Sequence, residues 1–136
     1  MDFLKSIAIA ASGLRAQAGR MRIISENIAN ADSTAPSAGT EPYRRKVTTF
    51  KSEMDRTLDA QLVALGRIKT DPSEFRIKHE PGHPAADQNG NVKYPNVNSL
   101  VEMTDLREAQ RSYEANINVI GASRRMIQRT IEILKS

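Results

Sequence analysis

The chain contains no cysteine and no tryptophan, and only three Phe and three Tyr occur among its 136 residues. Without cysteine, it can form no disulfide scaffold and can carry no thiol nucleophile. Its apolar fraction is 39%, below the about 45–50% of an ordinary globular domain. A monomer of this composition has little to bury, so we expect a partner to cover many of its apolar residues.

The sequence also lacks a long apolar run, and none approaches the about 20 residues of a membrane-spanning helix. The first apolar run, residues 7–11, is too short for a secretory signal and is preceded by acidic Asp2. We therefore expect no direct membrane span. If the chain is exported, we expect a route that uses no cleaved signal peptide.

Charge is spread evenly along the chain. The net charge is +4, but no segment forms the dense basic stripe that neutralising a nucleic-acid backbone requires. We therefore expect no nucleic-acid partner. Two short basic clusters are interpreted as solvated surface; they consist of Arg44, Arg45 and Lys46, and of Arg124 and Arg125.

Two segments, one near each end of the chain, carry apolar residues at alternating spacings of three and four. This spacing places one apolar stripe along a helix, which can pack against a second helix. It predicts one helix over about 3–30 and another from Asn98 or Ser99 onward. The predicted packing residues are Leu4, Ile7, Ala11, Leu14, Met21 and Ile28 on the first helix, and Met103, Leu106, Tyr113, Ile117, Ile120, Ile127, Ile131 and Leu134 on the second.

The predicted fold is therefore mainly α. The two long terminal helices pair as an antiparallel, coiled-coil-like hairpin, and a small irregular insertion containing β structure lies between them. The predicted parts are an N-terminal helix in 1–32, an insertion in 33–98 and a C-terminal helix in 99–136. Ser99 and Glu102 have the spacing of a capping box at the start of the last helix.

The insertion gives weaker signals. Residues 43–50 favour a strand, and 66–70 with 75–80 favour a small hairpin around Asp71 and Pro72. Asn89 and Gly90 form a strong turn signal, with a strand expected at 92–94. Residues 51–65 are ambiguous, and a short helix is possible there because of the spacing of Met54, Leu58, Leu62 and Leu65.

One motif suggests metal chemistry. His79, Glu80 and His83 match the H-E-x-x-H pattern of zinc proteases, in which both histidines lie on one face of a helix. Pro81 and Gly82 would break such a helix, because Pro lacks the backbone N–H and Gly adds conformational entropy. We therefore predict no metal site here. The sequence also shows no phosphate-binding loop and no nucleophile elbow, so we predict no catalytic residues and no cofactor.

Residues 11–17 (ASGLRAQ) and 26–31 (ENIANA) resemble the N-terminal signature of bacterial flagellar rod and hook proteins. Residues 102–103 (EM) and 109–116 (AQRSYEAN) resemble the C-terminal signature of the same family. Segments 83–87, 90–92 and 94–98 resemble the proximal rod members in particular. The chain departs from many members between Thr34 and Tyr43, where residues 35–42 are inserted.

The resemblance implies a structural subunit of the proximal rod of the flagellar basal body, which forms a helical tube within the drive shaft. It implies export through the flagellar type III apparatus, a periplasmic location, and partners that are copies of the chain and other rod proteins. Three asparagines of the signatures, Asn27, Asn30 and Asn116, join the predicted packing residues. The alternatives are a soluble coiled-coil adaptor and a metal-dependent hydrolase that uses His79, Glu80 and His83.

Overall fold

The computed structural model describes residues 2–136 and contains two long helices separated by six short strands. The elements are α1 (Phe3–Ala29), β1 (Lys46–Val47), β2 (Phe50–Asp55), β3 (Ala60–Leu65), β4 (Lys69–Thr70), β5 (Arg76–His79), β6 (Asn91–Tyr94) and α2 (Ser99–Lys135). The predicted class, two terminal helices with a small β-containing insertion, is confirmed. Neither helix of the described chain is long and apolar enough to cross a membrane.

The chain divides into two compact units, and each helix contributes to both. The first unit contains α1 up to Met21, residues 49–66 and residues 107–136. The second contains residues 22–48 and 67–106. The strands form three separate two-stranded antiparallel sheets, with β2–β3 in the first unit and β1–β4 and β5–β6 in the second.

In the first unit, the helices run antiparallel. Asn116 lies against Gly13, and an Arg20 Nη2 to Glu108 Oε2 contact of 3.7 Å joins a later residue of α1 to an earlier residue of α2. Small side chains make this packing possible, because they let helix backbones approach closely. The buried residues of the two helices within this unit are Ala10, Ser12, Ala16, Ala109 and Ser123.

Residues 50–65 form the β2–β3 hairpin, with Phe50 opposite Leu65 and Asp55 opposite Ala60. Its turn is closed by Asp55, whose Oδ1 accepts hydrogen bonds from the backbone of Thr57 (2.9 Å) and Leu58 (3.2 Å). Asp59 then adopts φ 50°, a left-handed conformation in which a helix cannot continue. The ambiguity of 51–65 is therefore resolved in favour of a hairpin, and the short helix considered there does not form.

The predicted hairpin around Asp71 and Pro72 is wrong. Both segments contain a strand, but β4 pairs with β1 and β5 pairs with β6. Asp71 explains the difference, because its backbone N–H donates to the Arg45 carbonyl (2.8 Å) and its Oδ1 accepts from Ser73 N (2.8 Å). These bonds tie the turn to the β1 segment. The strand predicted over 43–50 is confirmed only in part, at β1 and the first residue of β2.

The predicted turn at Asn89 and Gly90 and the strand after it are confirmed. Gly90 has φ +77°, which glycine adopts without steric cost, and its N–H donates to the Asp87 carbonyl at 3.0 Å. Asp87 Oδ1 accepts from Asn89 N (2.8 Å) and Asn91 N (2.9 Å). β6 follows directly and provides the centre of a small apolar cluster made of Ala85, Ala86, Val92 and Tyr94.

Helix α2 begins as predicted at Ser99, but a different residue caps it. Asn98 Oδ1 accepts from Leu100 N (3.1 Å) and Val101 N (3.5 Å), so Asn98 is the N-cap. The capping box predicted for Ser99 and Glu102 is wrong. The Glu102 side chain points into the second unit, where it binds a guanidinium group instead of the helix start.

Replacing the N-cap should be measurable in unfolding. Asn98→Ala removes the acceptor for two N–H groups and should lower the free energy of unfolding by about 1 kcal/mol. The matched control is Ser99→Ala, which should change it by less than about 0.5 kcal/mol. Urea denaturation followed by circular dichroism would measure both. A larger loss for Ser99→Ala than for Asn98→Ala would contradict this assignment of the cap.

Candidate functional site

The second unit is organised around Asn27, a buried residue near the end of α1 with 1% of its surface exposed. Its Nδ2 donates to the Lys46 carbonyl at 2.8 Å, and the Lys46 N–H donates to its Oδ1 at 3.0 Å. The side-chain amide therefore pairs with β1 as a neighbouring strand would. Tyr43 Oη donates to the same Oδ1 at 2.7 Å, which satisfies the amide fully on that side.

Glu102 lies in the first turns of α2 and is also 1% exposed. It accepts a short hydrogen bond from Arg45 Nε, and its other oxygen lies 3.4 Å from Asn27 Nδ2. Arg45 Nη1 donates to Asp71 Oδ2 at 3.2 Å, and Nη2 lies 3.9 Å from Asp105 Oδ2. A buried carboxylate without a partner is costly, so this ion pair is a requirement of the fold.

The backbone of Arg45 is held as firmly as its side chain. Its N–H donates to Asn96 Oδ1 at 2.8 Å, and its carbonyl accepts from Asp71 N at 2.8 Å. Asn96 Nδ2 in turn donates to the carbonyls of Asp71 (3.1 Å) and Ser73 (3.2 Å). We call Asn27, Tyr43, Arg45, Asp71, Asn96 and Glu102 the polar anchor. It joins the end of α1, β1, the 71–73 turn and the start of α2.

The ionisation of the polar anchor follows from these contacts. Burial alone would lower the pKa of Arg45, but hydrogen bonds and the charges of Glu102 and Asp71 outweigh burial and raise it. Hydrogen bonds from Ser73 lower the pKa of Asp71, and Arg45 adds to that effect. Burial, together with the negative charges of Glu26 and Glu102, raises the pKa of Tyr43 to about 12. At neutral pH the anchor is therefore a fixed arrangement of ion pairs and a neutral phenol.

The sequence did not reveal this cluster. The interpretation of Arg45 as solvated surface is wrong, because its side chain is 23% exposed and contacts Glu102 and Asp71. A charge cluster looks the same in sequence whether or not a distant carboxylate folds over it. The only available signal was Asn27 within the helix-ending motif. Arg124 and Arg125 are both exposed, as predicted.

Most predicted packing residues are not buried within the chain. Asn27 is buried. Those of intermediate exposure are Ile7, Ala11, Leu14, Met21, Ile28, Asn30, Leu106, Tyr113, Asn116, Ile120 and Ile127. Those left exposed are Leu4 (68%), Met103 (51%), Ile117 (46%), Ile131 (46%) and Leu134 (80%). Whether neighbouring molecules cover them remains a prediction.

The most buried line of α2 is offset by one residue from the predicted apolar stripe. Glu102, Ala109 and Ser123 are separated by seven and fourteen residues, and all three are buried. Met103 and Ile117 are exposed. One residue rotates a helix position by about 100°. The interior line of α2 is therefore small or polar, and part of the apolar stripe lies on a flank of the helix.

The H-E-x-x-H segment begins at His79, the last residue of β5, and continues into the following turns, so the predicted absence of a helix there is confirmed. The Ala85 N–H donates to His83 Nδ1 at 3.0 Å, and His79 Nδ1 lies 3.3 Å from Asn91 Oδ1. Glu80 Oε2 accepts from Tyr94 Oη at 2.8 Å, which raises the pKa of that phenol. Across residues 2–136, no group of three or more His, Cys, Asp or Glu is placed to hold a metal ion.

Comparison with known proteins gives consistent matches. Residues 7–35 match the family model "Flagella basal body rod protein", and residues 88–133 match "Flagellar basal body rod FlgEFG protein C-terminal". The chain is 51% identical over 137 residues to the flagellar basal-body rod protein FlgC of Agrobacterium fabrum, covering 100% of this chain and 99% of the relative. It is 36% identical over 150 residues to FlgC of Bacillus subtilis (99% and 100% covered) and 35% identical over 133 residues to FlgC of Salmonella typhimurium (98% of each).

The polar anchor should be sensitive to neutralisation of its buried carboxylate. Glu102→Gln leaves the Arg45 guanidinium without its closest charge partner and should lower the free energy of unfolding by about 3 kcal/mol. Glu108→Gln is the matched control on the same helix, because Glu108 is 67% exposed; it should cost less than about 1 kcal/mol. Denaturant unfolding would compare them, and equal losses would mean that the Glu102 pair contributes no more than a surface contact.

The Tyr43 phenol should make stability fall at high pH. Its pKa is about 12 in the folded chain and 10.0 without the surrounding structure, so the folded state binds more protons between these values. The contribution of Tyr43 is then fully present below pH 10 and is lost as the pH rises through about 12. Tyr43→Phe should flatten the decline in this window. In a titration followed by tyrosinate absorbance, Tyr43→Phe should remove the absorbance change that occurs at the highest pH. Loss of the absorbance change near pH 10 instead would contradict this assignment.

Proposed function

The chain belongs to the FlgC family of flagellar basal-body rod proteins, and we propose that it works in the proximal rod by packing its terminal helices against neighbouring subunits in a helical tube. Membership of this family makes it a structural subunit of the basal-body rod and agrees with the resemblance noted in the sequence. The proximal position, the tube geometry and the residues that carry assembly are the parts we propose here.

One observation carries the proposal: large apolar side chains are exposed along both terminal helices. Leu4 on α1 and Ile131 and Leu134 on α2 are 68%, 46% and 80% exposed. Ile131 and Leu134, three residues apart, lie on the same side of α2, and exposed apolar patches of this kind mark interaction sites.

The arrangement around α2 favours an open assembly over a closed dimer. Ile117 and Val119 are 46% and 45% exposed, and two residues along a helix are separated by about 200° of rotation. Met126, 50% exposed, lies on the Val119 flank, seven residues further on. Exposed apolar residues on two opposite sides of α2 can each contact a different neighbouring subunit. Contacts between non-identical surfaces continue from copy to copy into a ring or helix, whereas the coiled-coil adaptor alternative requires one self-complementary face.

We further propose that copies of this chain and other rod proteins are its partners, and that it reaches the periplasm through the flagellar type III apparatus without a cleaved signal. Family membership supports these points. The predicted role for the termini also fits the two matched segments, since residues 7–35 and 88–133 include most of both helices.

The apolar flank can be tested with one charge. Ile117→Asp should leave the helical content of the isolated chain nearly unchanged, because Ile117 is already 46% exposed. In the rod it would bury an unpaired carboxylate, at a cost of several kcal/mol per contact. Cells that carry this variant as their only copy should lose motility and basal-body rods. Export of the variant should be measured separately by immunoblotting.

The matched control for that experiment is Asn118→Asp, which adds the same charge to the neighbouring, exposed position on α2. These cells should swim. Normal motility with Ile117→Asp would overturn the proposed role of this flank. A discrete dimer of the wild-type chain that Ile117→Asp dissociates would favour the adaptor alternative.

A further inference from the structure

We propose that Asn116, seated on Gly13, sets the register of the antiparallel helix pair in the first unit. A Cβ added to Gly13 would lie 2.9 Å from Asn116 Nδ2, 3.0 Å from Oδ1 and 3.2 Å from Cγ. The Asn116 amide thus occupies space that any other residue at position 13 would fill. The missing side chain of Gly13 leaves a gap in the surface of α1, and the Asn116 side chain fills that gap.

The Asn116 amide is held in that position from its own helix. Its Nδ2 donates to the Ser112 carbonyl one turn earlier, at 2.9 Å. The side chain is therefore oriented before it meets α1. A polar residue at a single interior position of a helix pair is a known means of fixing register, because other alignments leave it clashing or badly placed.

A shift of one helix along the other by one turn would remove the fit between Gly13 and Asn116. Asn116 would then face Ala10 or Ala16, both buried, whose β-carbons would collide with the amide where Gly13 has none. In the same shift Gly13 would face a position three or four residues from Asn116 on α2, so the space at Gly13 would lose the side chain that fills it. The remaining interior positions are small, so they fit several alignments about equally well. Gly13 with Asn116 is the contact in this unit that distinguishes one alignment from the next.

The register decides which surface the helix pair presents. Ile117 follows Asn116 directly and is 46% exposed, so the contact that seats Asn116 also fixes where Ile117 lies along α1. This consequence rests on the proposed rod function, whereas the register itself is a property of the single chain. The two can be tested separately.

Distance measurement on the isolated chain tests the register. The chain has no cysteine, so Ala18→Cys and Arg125→Cys, both at exposed positions of this unit, can carry two spin labels without competing thiols. Arg125 is 14 residues beyond the position opposite Ala18, about 21 Å along the helix, so a slip along the axis changes the distance between the labels almost fully. Double electron–electron resonance should give one narrow distribution of distances between the two labels. In Asn116→Leu it should give an additional population displaced by about 5 Å, one helical turn. Asn118→Leu, the same change at an exposed position, should keep the single distance.

A double-mutant cycle on thermal stability tests the same contact if Asn116→Leu does not fold. Gly13→Ala improves helix propensity, but in the presence of Asn116 it displaces the amide and breaks its bond to Ser112. The rise in Tm from Gly13→Ala should therefore be larger in an Asn116→Ala background than in the wild-type chain. Equal rises would overturn the proposal. So would a single unchanged distance in Asn116→Leu, or a broad distribution in the wild type. Loss of motility has no bearing on either readout.

Discussion

The ion pair between Arg45 and Glu102 is the interaction on which the second unit depends. Glu102 is almost fully buried at the start of α2, and no aliphatic packing could compensate for an isolated charge there. Arg45 can reach it only because Asn96 and Asp71 hold the Arg45 backbone, and Asn27 holds the adjoining residue of β1. One buried carboxylate therefore ties the start of α2 to the Arg45 segment and to Asn27 at the end of α1.

Buried polar side chains, Asn27 and Glu102 among them, supplement an otherwise apolar interior that includes Ile23, Ile24 and Val97. The interior line of α2 consists of Glu102, Ala109 and Ser123, whereas Ile131 and Leu134 face outward. Hydrogen bonds are directional, so such an interior specifies geometry well. Each contributes only about 0.5–1.5 kcal/mol net, so it specifies geometry better than it provides stability.

Sequence reasoning located the local features and missed the distant pairings. Both helices and the Asn89–Gly90 turn follow from residues close together in the chain, and all were predicted. The pairing of β4 with β1 goes with the bond from Asp71 N to the Arg45 carbonyl, and β5 pairs with β6 instead of β4; no local pattern encodes either choice. The same limitation explains Arg45: its partner is 57 residues away, so its basic neighbours in sequence were uninformative. The polar anchor was therefore missed as a site, although Asn27 was named.

The distribution of apolar surface couples folding of the terminal helices to assembly. A helix gains most of its stability from packing, and residues 128–135 of α2 are all exposed within the chain. Any molecule that covers them stabilises the folded form, and the stabilisation rises with the logarithm of its concentration relative to its dissociation constant. If the covering molecule is a neighbouring rod subunit, each added copy completes the stabilisation of the one before it. Buried polar contacts that fix the geometry of the second unit and exposed apolar side chains that a neighbouring subunit can cover are then two parts of the same arrangement.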